Sequence, residues 1–407
     1  MKIAVVGGGP AGMIAGIAAL MSGNTVDLYE QNEKLGKKLY ITGKGRCNVT
    51  NDCDLTDFFD QIITNKNFMY SALYTFTNDQ LMTLLEDNGC PLKVERGGRV
   101  FPQSDKSSDV IKTLRKILVE KGATLYLNTK VHEVVAEDGV VKGLRTSQDD
   151  WIPYEKVILA TGGISYRSTG ADGSGLAMAE SLGHTVTPLL PSLVGICTND
   201  AWVKALQGLS LKNVALTLFH HHKKVKSWMG EMLFTHFGIS GPLVLTASAY
   251  MKPPYEDYHL KIDLKPALTP EQMDARLQKD FEKYHRKNFI NGLTDLLPSK
   301  MIPVMVEYSG IPSDKTVNQI TREERQHLAG VFKGMEIQVS GLQDINAAIV
   351  TSGGISVKEI DPSTMASKKL TGLYFAGEMI DVDALTGGYN IQIAASTGWL
   401  AGWTEND

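Results

Sequence analysis

The chain of 407 residues predicts an α/β fold in which a parallel-sheet domain begins at the N-terminus, is interrupted by an insert, and is completed at the C-terminus. Three observations carry this. The first thirty residues read as strand, glycine turn, helix and strand. A hydrophobic strand ending in glycines, VILATGG, follows at 157–163, and a further strand, two turns and a helix occupy 370–402. Between them, 193–264 is a series of strand-like segments separated by turns, followed by helical patterns to about residue 332.

KIAVVG (2–7) is a short β-branched apolar run of the kind that fills a buried parallel strand. Gly7-Gly8-Gly9-Pro10-Ala11-Gly12 then has the spacing GxGxxG. MIAGIAALMSG reads as a helix closed by Gly23. TVDLYE (25–30) is a second strand, ending in Glu30. Each part has a task in a Rossmann-like dinucleotide site. Gly7 makes the tight turn, Gly9 admits the backbone to a pyrophosphate, and Gly12 lets helix and strand approach closely. The free N–H groups and positive dipole end of the helix face the phosphates. Glu30 would accept hydrogen bonds from ribose hydroxyls and disfavour a 2′-phosphate, which leaves FAD or NAD.

Composition sets broad limits. The chain is 43% hydrophobic and 21% charged, with a net charge of −4 and no long basic run. That argues against a dedicated nucleic-acid or anionic-membrane binder. Glycine, at 39 residues, exceeds its usual share of about 7%. Four cysteines, Cys47, Cys53, Cys90 and Cys197, are too few for a disulfide scaffold and suggest a reducing compartment. The apolar N-terminus could pass for a signal peptide, but its glycines are ordered and a second strand follows directly. A cytoplasmic protein with a small-molecule substrate, no nucleic acid and no membrane association is expected, as a monomer or small homo-oligomer.

The far end favours FAD over NAD. An extended flavin cofactor lies with its adenine end on the first βαβ unit and its ring end against a segment that re-enters the domain. Gly377 and Glu378 would meet the pyrophosphate and ribityl chain. Gly387, Gly388 and Tyr389 would let the backbone pass close to the ring. Asn390 and Ile391 open the last helix, whose N–H groups can stabilise negative charge.

GGGPAG, KLYITGKGRCNVTN (38–51), ATGGISY (160–166), GEMLFTHFGISGP (230–242) and GEMIDVDALTGGYNIQIA (377–394) occur in that order. Together they resemble the BaiN/YhiN-type flavoproteins, often labelled aminoacetone-oxidase-family FAD-binding enzymes. Ala384 stands where that family more often has a second glycine. The resemblance implies a Rossmann-like FAD-binding domain over 1–190 and 350–407, a small β-barrel insert over 191–266 and 333–349, and a helical insert over 267–332. In the last, Thr269 is a candidate N-cap and Pro270 the first helical residue. FAD is expected to be non-covalent, with NAD(P)H as a transient electron donor. The expected cofactor-binding residues are Gly7, Gly9, Pro10, Ala11, Gly12, Glu30, Gln31, Lys38, Gly45, Arg46, Cys47, Asn48, Val131, Thr161, Gly162, Gly163, Gly377, Glu378, Gly388, Tyr389, Asn390 and Ile391. In ITGKGRCN (41–48), Gly43 and Gly45 would allow close approach, and Lys38, Lys44 and Arg46 would supply positive charge.

Two activities follow from the resemblance. One is NAD(P)H-driven reduction of a conjugated C=C bond in a 3-oxo steroid or bile-acid-like molecule; the other is O₂-dependent oxidation of an amine such as aminoacetone. A third reading is an FAD-binding redox module without turnover. The catalytic groups stay open, with Tyr389, His236 and Cys47 as candidates for a proton donor or thiol. Cys47 and Cys53 lack the spacing of a redox disulfide, and no second GxGxxG offers an NADPH domain. Thr235, Tyr166 and Arg167 are further candidates for lining a cleft. The loop with Gly170, Asp172, Gly173 and Gly175 is a weak candidate for a second phosphate site. His220-His221-His222 suggests a metal, but no carboxylate or cysteine stands nearby at ligand spacing, so a solvated hairpin tip and no metal are expected.

Overall fold

The computed structural model describes residues 1–147 and 151–404. It divides into two units, Met1–Ser192 with Asp344–Asp407, and Leu193–Gln343. Among the described residues no helix is long and apolar enough to cross a membrane.

The first unit is built on a five-stranded parallel sheet in the order Leu373–Phe375, Lys156–Leu159, Lys2–Val6, Thr25–Tyr29, Thr124–Tyr126. Both faces of such a sheet are covered, so its strands are apolar runs rather than alternating ones; Ile3, Ala4, Val5, Val157, Ile158 and Leu159 are fully buried. The chain departs to one side of Lys2–Val6 for the next strand and later returns to its other side. A crevice therefore opens at the carboxyl end of Lys2–Val6, where ligands of doubly wound sheets bind. Two three-stranded antiparallel sheets and the pair Leu190–Ser192 with Val350–Ser352 complete the unit.

The last helix, Tyr389–Gly402, is buried on nearly every side. It lies against helix Pro10–Met21 at a distance only glycine allows: a Cβ at Gly398 would collide with the Ala11 carbonyl, and one at Gly402 with the Ala15 carbonyl. Its buried polar side chains are all partnered. Gln392 Nε2 and Ser396 Oγ donate to the Phe76 carbonyl at 3.1 and 2.6 Å, and Thr397 Oγ1 donates to the Ile393 carbonyl at 2.7 Å.

The second unit holds a seven-stranded antiparallel sheet in the order Met335–Gln338, Tyr258–Asp263, Ser210–His220, Lys223–Phe234, Gly238–Ser240, Ile196–Cys197, Gly341–Leu342. Helices Pro270–Lys283, Ile302–Ser309 and Arg322–Lys333 share one apolar core with these strands. Thr269 caps the first of them, accepting from the Gln272 N–H at 3.2 Å, with Pro270 at the first helical position. GPLVLTASAY, read from the sequence as a strand, is instead helix Pro242–Ser248. Gly241 turns the chain at φ +94°, and Pro242, which can donate to no ladder, has its φ set for the first helical turn. Leu243, Val244 and Ala247 then fall on one buried face.

Lys156 sits buried in the central sheet with no hydrogen-bond partner for Nζ, which lies 3.9 Å from the centroid of the Tyr374 ring. Burial pushes its ammonium down to about 8 from 10.5. The folded chain thus releases this proton before the unfolded chain does. Stability is expected to rise as pH climbs from about 8 to 10.5 and to carry the full penalty below 8. Lys156→Met is expected to abolish that rise and to stabilise the protein at pH 7. The gain is at most about 3 kcal/mol, reduced by the lost cation–π contact. Urea unfolding of both forms at pH 7 and 10 measures this; a variant less stable at pH 7 would contradict it.

Candidate functional site

Helix Pro10–Met21 begins with an open N-terminus. Its cap, Gly9, has an extended backbone (φ −77°, ψ −177°) and no side chain, and no acidic residue lies in the first turn. The first intrahelical bond runs from Met13 N–H to the Gly9 carbonyl at 2.9 Å. The N–H groups of Ala11 and Gly12 have no partner within the helix and lie at the positive end of its dipole. The glycines differ in what surrounds them. A Cβ at Gly12 would overlap the Gly7 carbonyl, and one at Gly7 the Ala160 carbonyl. A Cβ at Gly9 would meet nothing within 4 Å, so its face is open.

Glu30 is buried at the end of strand Thr25–Tyr29. Gly8 N–H donates to its Oε2 at 2.8 Å, and Asn32 N–H and Nδ2 donate to its Oε1 at 2.8 and 2.6 Å. These bonds hold the carboxylate beside the glycine turn. Thr129 N–H donates to the Glu30 carbonyl at 3.0 Å, which brings the strand that starts at Val131 to the same place. Gln31 is turned elsewhere: its Nε2 donates to the Gly170 carbonyl at 2.6 Å.

The other segments converge on one charged network. Lys38 Nζ lies 2.7 Å from Glu378 Oε2 and donates to Ser165 Oγ at 2.6 Å. Thr351 N–H donates to Glu378 Oε1 at 2.9 Å, and Thr351 Oγ1 accepts from Ile164 and Ser165 N–H at 2.9 and 3.2 Å. Gly163 is glycine because a Cβ there would collide with Thr351 Oγ1. Lys38 and Glu378 were both expected to face a ligand as separate charges; they form an ion pair, with Ser165 and Thr351 as further members. Neither of those two was singled out in the sequence, because no spacing relates positions 38, 165, 351 and 378. Thr161 lies beside Gly175 and contacts Met379 Sδ at 3.9 Å, and Gly162 has φ +79°.

The ITGKGRCN loop winds through four left-handed residues, Gly43 (φ +57°), Lys44 (+59°), Gly45 (+84°) and Cys47 (+59°). Arg46 does not present a free cation. It pairs with Glu95 and, at 2.6 Å, with Asp105, and stacks 4.1 Å over the Phe101 ring. Cys47 is fully buried, and burial pushes its thiol up to about 12 despite a hydrogen bond with Thr42. A protonated, enclosed thiol is a poor nucleophile. All four cysteines are free. Next to it, Asn48 Oδ1 is buried without a hydrogen-bond partner. Such an acceptor costs free energy unless a donor reaches it.

At the C-terminal turn the glycines serve packing. A Cβ at Gly388 would strike the Thr50 carbonyl, one at Gly387 the Tyr389 ring, and one at Gly377 the Ala11 Cβ. Asn390 caps its own loop: Oδ1 accepts from Ala384 N–H at 2.9 Å and Nδ2 donates to the Ala384 carbonyl at 2.7 Å. The last helix starts one residue earlier than expected, at Tyr389, leaving the N–H groups of Tyr389, Asn390 and the half-buried Ile391 at its open end. Tyr389 packs edge-on against Phe58 at 4.9 Å. Burial and the Cys53 thiol push its phenol up to about 12, so it keeps its proton at neutral pH. His236 belongs to the second unit, exposed in the turn between strands Lys223–Phe234 and Gly238–Ser240. Thr235 tightens that turn, accepting from Gly238 N–H at 3.2 Å.

In the loop at residues 170–175 the acidic side chain is partnered by the protein. Asp172 accepts from Ser174 N–H at 2.9 Å at the start of helix Ser174–Ser181 and pairs with Lys130 at 2.8 Å. Burial opposes its ionisation, but these donors outweigh it and hold the carboxyl at about 2. Tyr166 sits in a left-handed turn, and the exposed Arg167 donates its N–H to Asn346 Oδ1 at 3.0 Å.

Residues 1–404 match the family described as HI0933-like protein Rossmann domain. The chain is 31% identical to the 3-dehydro-bile acid delta(4,6)-reductase of Clostridium scindens, over 98% of both chains. It is 30% identical to the ribosomal RNA dihydrouridine synthase of Haemophilus influenzae, over 97% of this chain and 96% of that one. Its fold is similar to the 3-ketosteroid Δ4-(5α)-dehydrogenase of Rhodococcus jostii, with TM-score 0.51 and 14% identity over 98% of this chain and 95% of that one.

The two glycines of the turn should respond differently to a methyl group. Gly9→Ala is expected to cost at most about 1 kcal/mol, the difference between Gly and Ala as a helix cap, since its Cβ enters open space. Gly12→Ala should destabilise by about 1–3 kcal/mol or more, because two backbones must separate. Thermal denaturation of both variants without added nucleotide distinguishes them; equal losses would overturn the division of roles.

Proposed function

The chain belongs to the HI0933-like family, and from that premise we propose that it is an FAD-dependent oxidoreductase that saturates a C=C bond conjugated to a carbonyl. The observation that carries this is shared chemistry between two relatives, each about 30% identical over nearly the whole chain. One is named for reducing a Δ4,6-unsaturated 3-oxo bile acid, the other for making dihydrouridine. Both names describe addition of two hydrogens across a double bond polarised by a neighbouring carbonyl.

The residues of the first unit fit FAD. The open face of Gly9 and the unpaired N–H groups of Ala11 and Gly12 would take the pyrophosphate, and Glu30 the adenosine ribose. The partnerless Asn48 Oδ1 offers an acceptor to a ligand N–H. When bound, FAD would supply hydride transfer, which no protein side chain provides. The chain's own contributions are binding and protonation. The last helix points its free N–H groups at its open end, where they would favour negative charge. The Lys38–Glu378 pair braces the segments that carry Ser165 and Thr351. Tyr389, protonated to about pH 12, is our candidate donor of the second hydrogen, as a proton. NADH or NADPH is the electron donor in this reading.

A free enone of steroid or bile-acid type is the first substrate class we propose. Uracil in RNA is the second, supported by the dihydrouridine synthase relative and opposed by the net charge of −4 and lack of a basic run.

Anaerobic titration of the yellow holoprotein with NADH and NADPH is expected to bleach the oxidised-flavin absorbance. Subsequent addition of a 3-oxo-Δ4,6 steroid should restore it, whereas uridine-containing RNA should not. Restoration by RNA alone would select the second substrate class. Bleaching only by a small amine, with recovery in air, would replace the reductase by an oxidase. Gly9→Val should fold but bind FAD about 10- to 100-fold more weakly, the worth of one charge-assisted hydrogen bond.

A further inference from the structure

His220, His221 and His222 stand at the tip of the hairpin formed by strands Ser210–His220 and Lys223–Phe234. In the sequence they have no acidic or thiol partner. The fold supplies one from residue 257. The strand Tyr258–Asp263 pairs antiparallel with Ser210–His220, His220 opposite Tyr258, and His221 N–H donates to the Asp257 carbonyl at 2.8 Å. The imidazoles of His220 and His221 and the carboxylate of Asp257 thereby bring three ligand atoms within 4.8 Å of one another. His221 Nε2 lies 3.7 Å from Asp257 Oδ2, and the two imidazole centroids are 4.5 Å apart.

We propose that His220, His221 and Asp257 form a binding site for a divalent transition metal of the zinc class. Two imidazoles and one carboxylate are a donor set suited to such ions, with water completing a four-coordinate shell. Tetrahedral ligands at about 2.0–2.1 Å from a metal are about 3.3 Å apart. The three atoms must therefore close by roughly 1.5 Å at most, which side-chain rotation alone can achieve because the main chain is already fixed by the ladder. His221 is exposed and the other two are half-buried, so an ion has access from solvent. An open cavity of about 460 Å³ adjoins the cluster, lined by Glu256, His259 and Glu336 among others. Lys261 also lines it, but Glu336 Oε1 neutralises that ammonium at 2.7 Å. A bound ion would cross-link the hairpin tip to the turn that precedes Tyr258–Asp263, adding to the His221 N–H to Asp257 carbonyl bond. The site lies within residues 193–343 and is independent of the proposed reaction.

The test uses the untagged full-length holoprotein, stripped with chelator and titrated with zinc sulfate against a chromophoric competitor. One zinc per chain is expected. His221→Gln and Asp257→Asn should each weaken it about tenfold or more, and His220→Gln/His221→Gln should abolish it. His327→Gln, on an exposed position of helix Arg322–Lys333, should leave it unchanged. Zinc should raise the unfolding midpoint of wild type and not of the double variant. Flavin content and the metal-free midpoint report that each variant is folded. No zinc uptake by wild type, equal uptake by the double variant, or equal displacement by magnesium would overturn the proposal.

Discussion

The close approach of helix Tyr389–Gly402 to helix Pro10–Met21 is the contact on which the first unit depends. Gly398 and Gly402, one turn apart, admit the Ala11 and Ala15 carbonyls where any side chain would intrude. This joins the two ends of the chain across an insert of about 150 residues. Strand Leu373–Phe375 can then add to the sheet beside Lys156–Leu159, and Gly377 can lie against Ala11. The N-terminal glycine turn and the C-terminal turn are held together because Gly398 and Gly402 let the two helices approach without a side chain at those positions. A larger residue at 398 would separate the two halves of the site before it disturbed any residue facing a ligand.

The charges around the site obey a second constraint. Taking an ion out of water is costly unless it is paired or hydrogen-bonded, as Lys38, Glu378 and Arg46 are. Lys38, Glu378 and Arg46 look in the sequence like groups reserved for a cofactor, yet each is occupied by the protein. Their partners come from remote segments, so the pairs tie residues 38, 165, 351 and 378 together and brace the 41–48 loop against Glu95 and Asp105. Among the groups that remain open are main-chain N–H groups at two helix starts, beside a glycine with open space, and the side-chain amide oxygen of Asn48. Main-chain donors are fixed before the ligand arrives, which suits a cofactor that must be held in one orientation.

Local signals were legible where one short segment does one job. The strand–turn–helix–strand at the N-terminus, the cap at Thr269 and the hairpin tip at His220–His222 are each set by φ preferences and periodicity within a dozen residues. Pairing across the chain was not. Nothing local to Cys47 reveals that its thiol is fully buried. Arg46 was read as a ligand cation because Glu95 and Asp105 lie far along the chain. GPLVLTASAY carries an apolar run that fits strand or helix equally, and the left-handed Gly241 before Pro242 settles it for helix.

By itself, then, the sequence determined the glycine-rich strand–turn–helix–strand unit, the α/β class, the return of the chain to its first sheet and the family resemblance, because those rest on local backbone chemistry and on motifs in order. Tertiary structure alone decided which charges are spent on each other, which glycines serve packing rather than a ligand, and that Asp257 joins His220 and His221. Those facts depend on distances between residues tens to hundreds of positions apart, and no local preference along a chain encodes a distance through space.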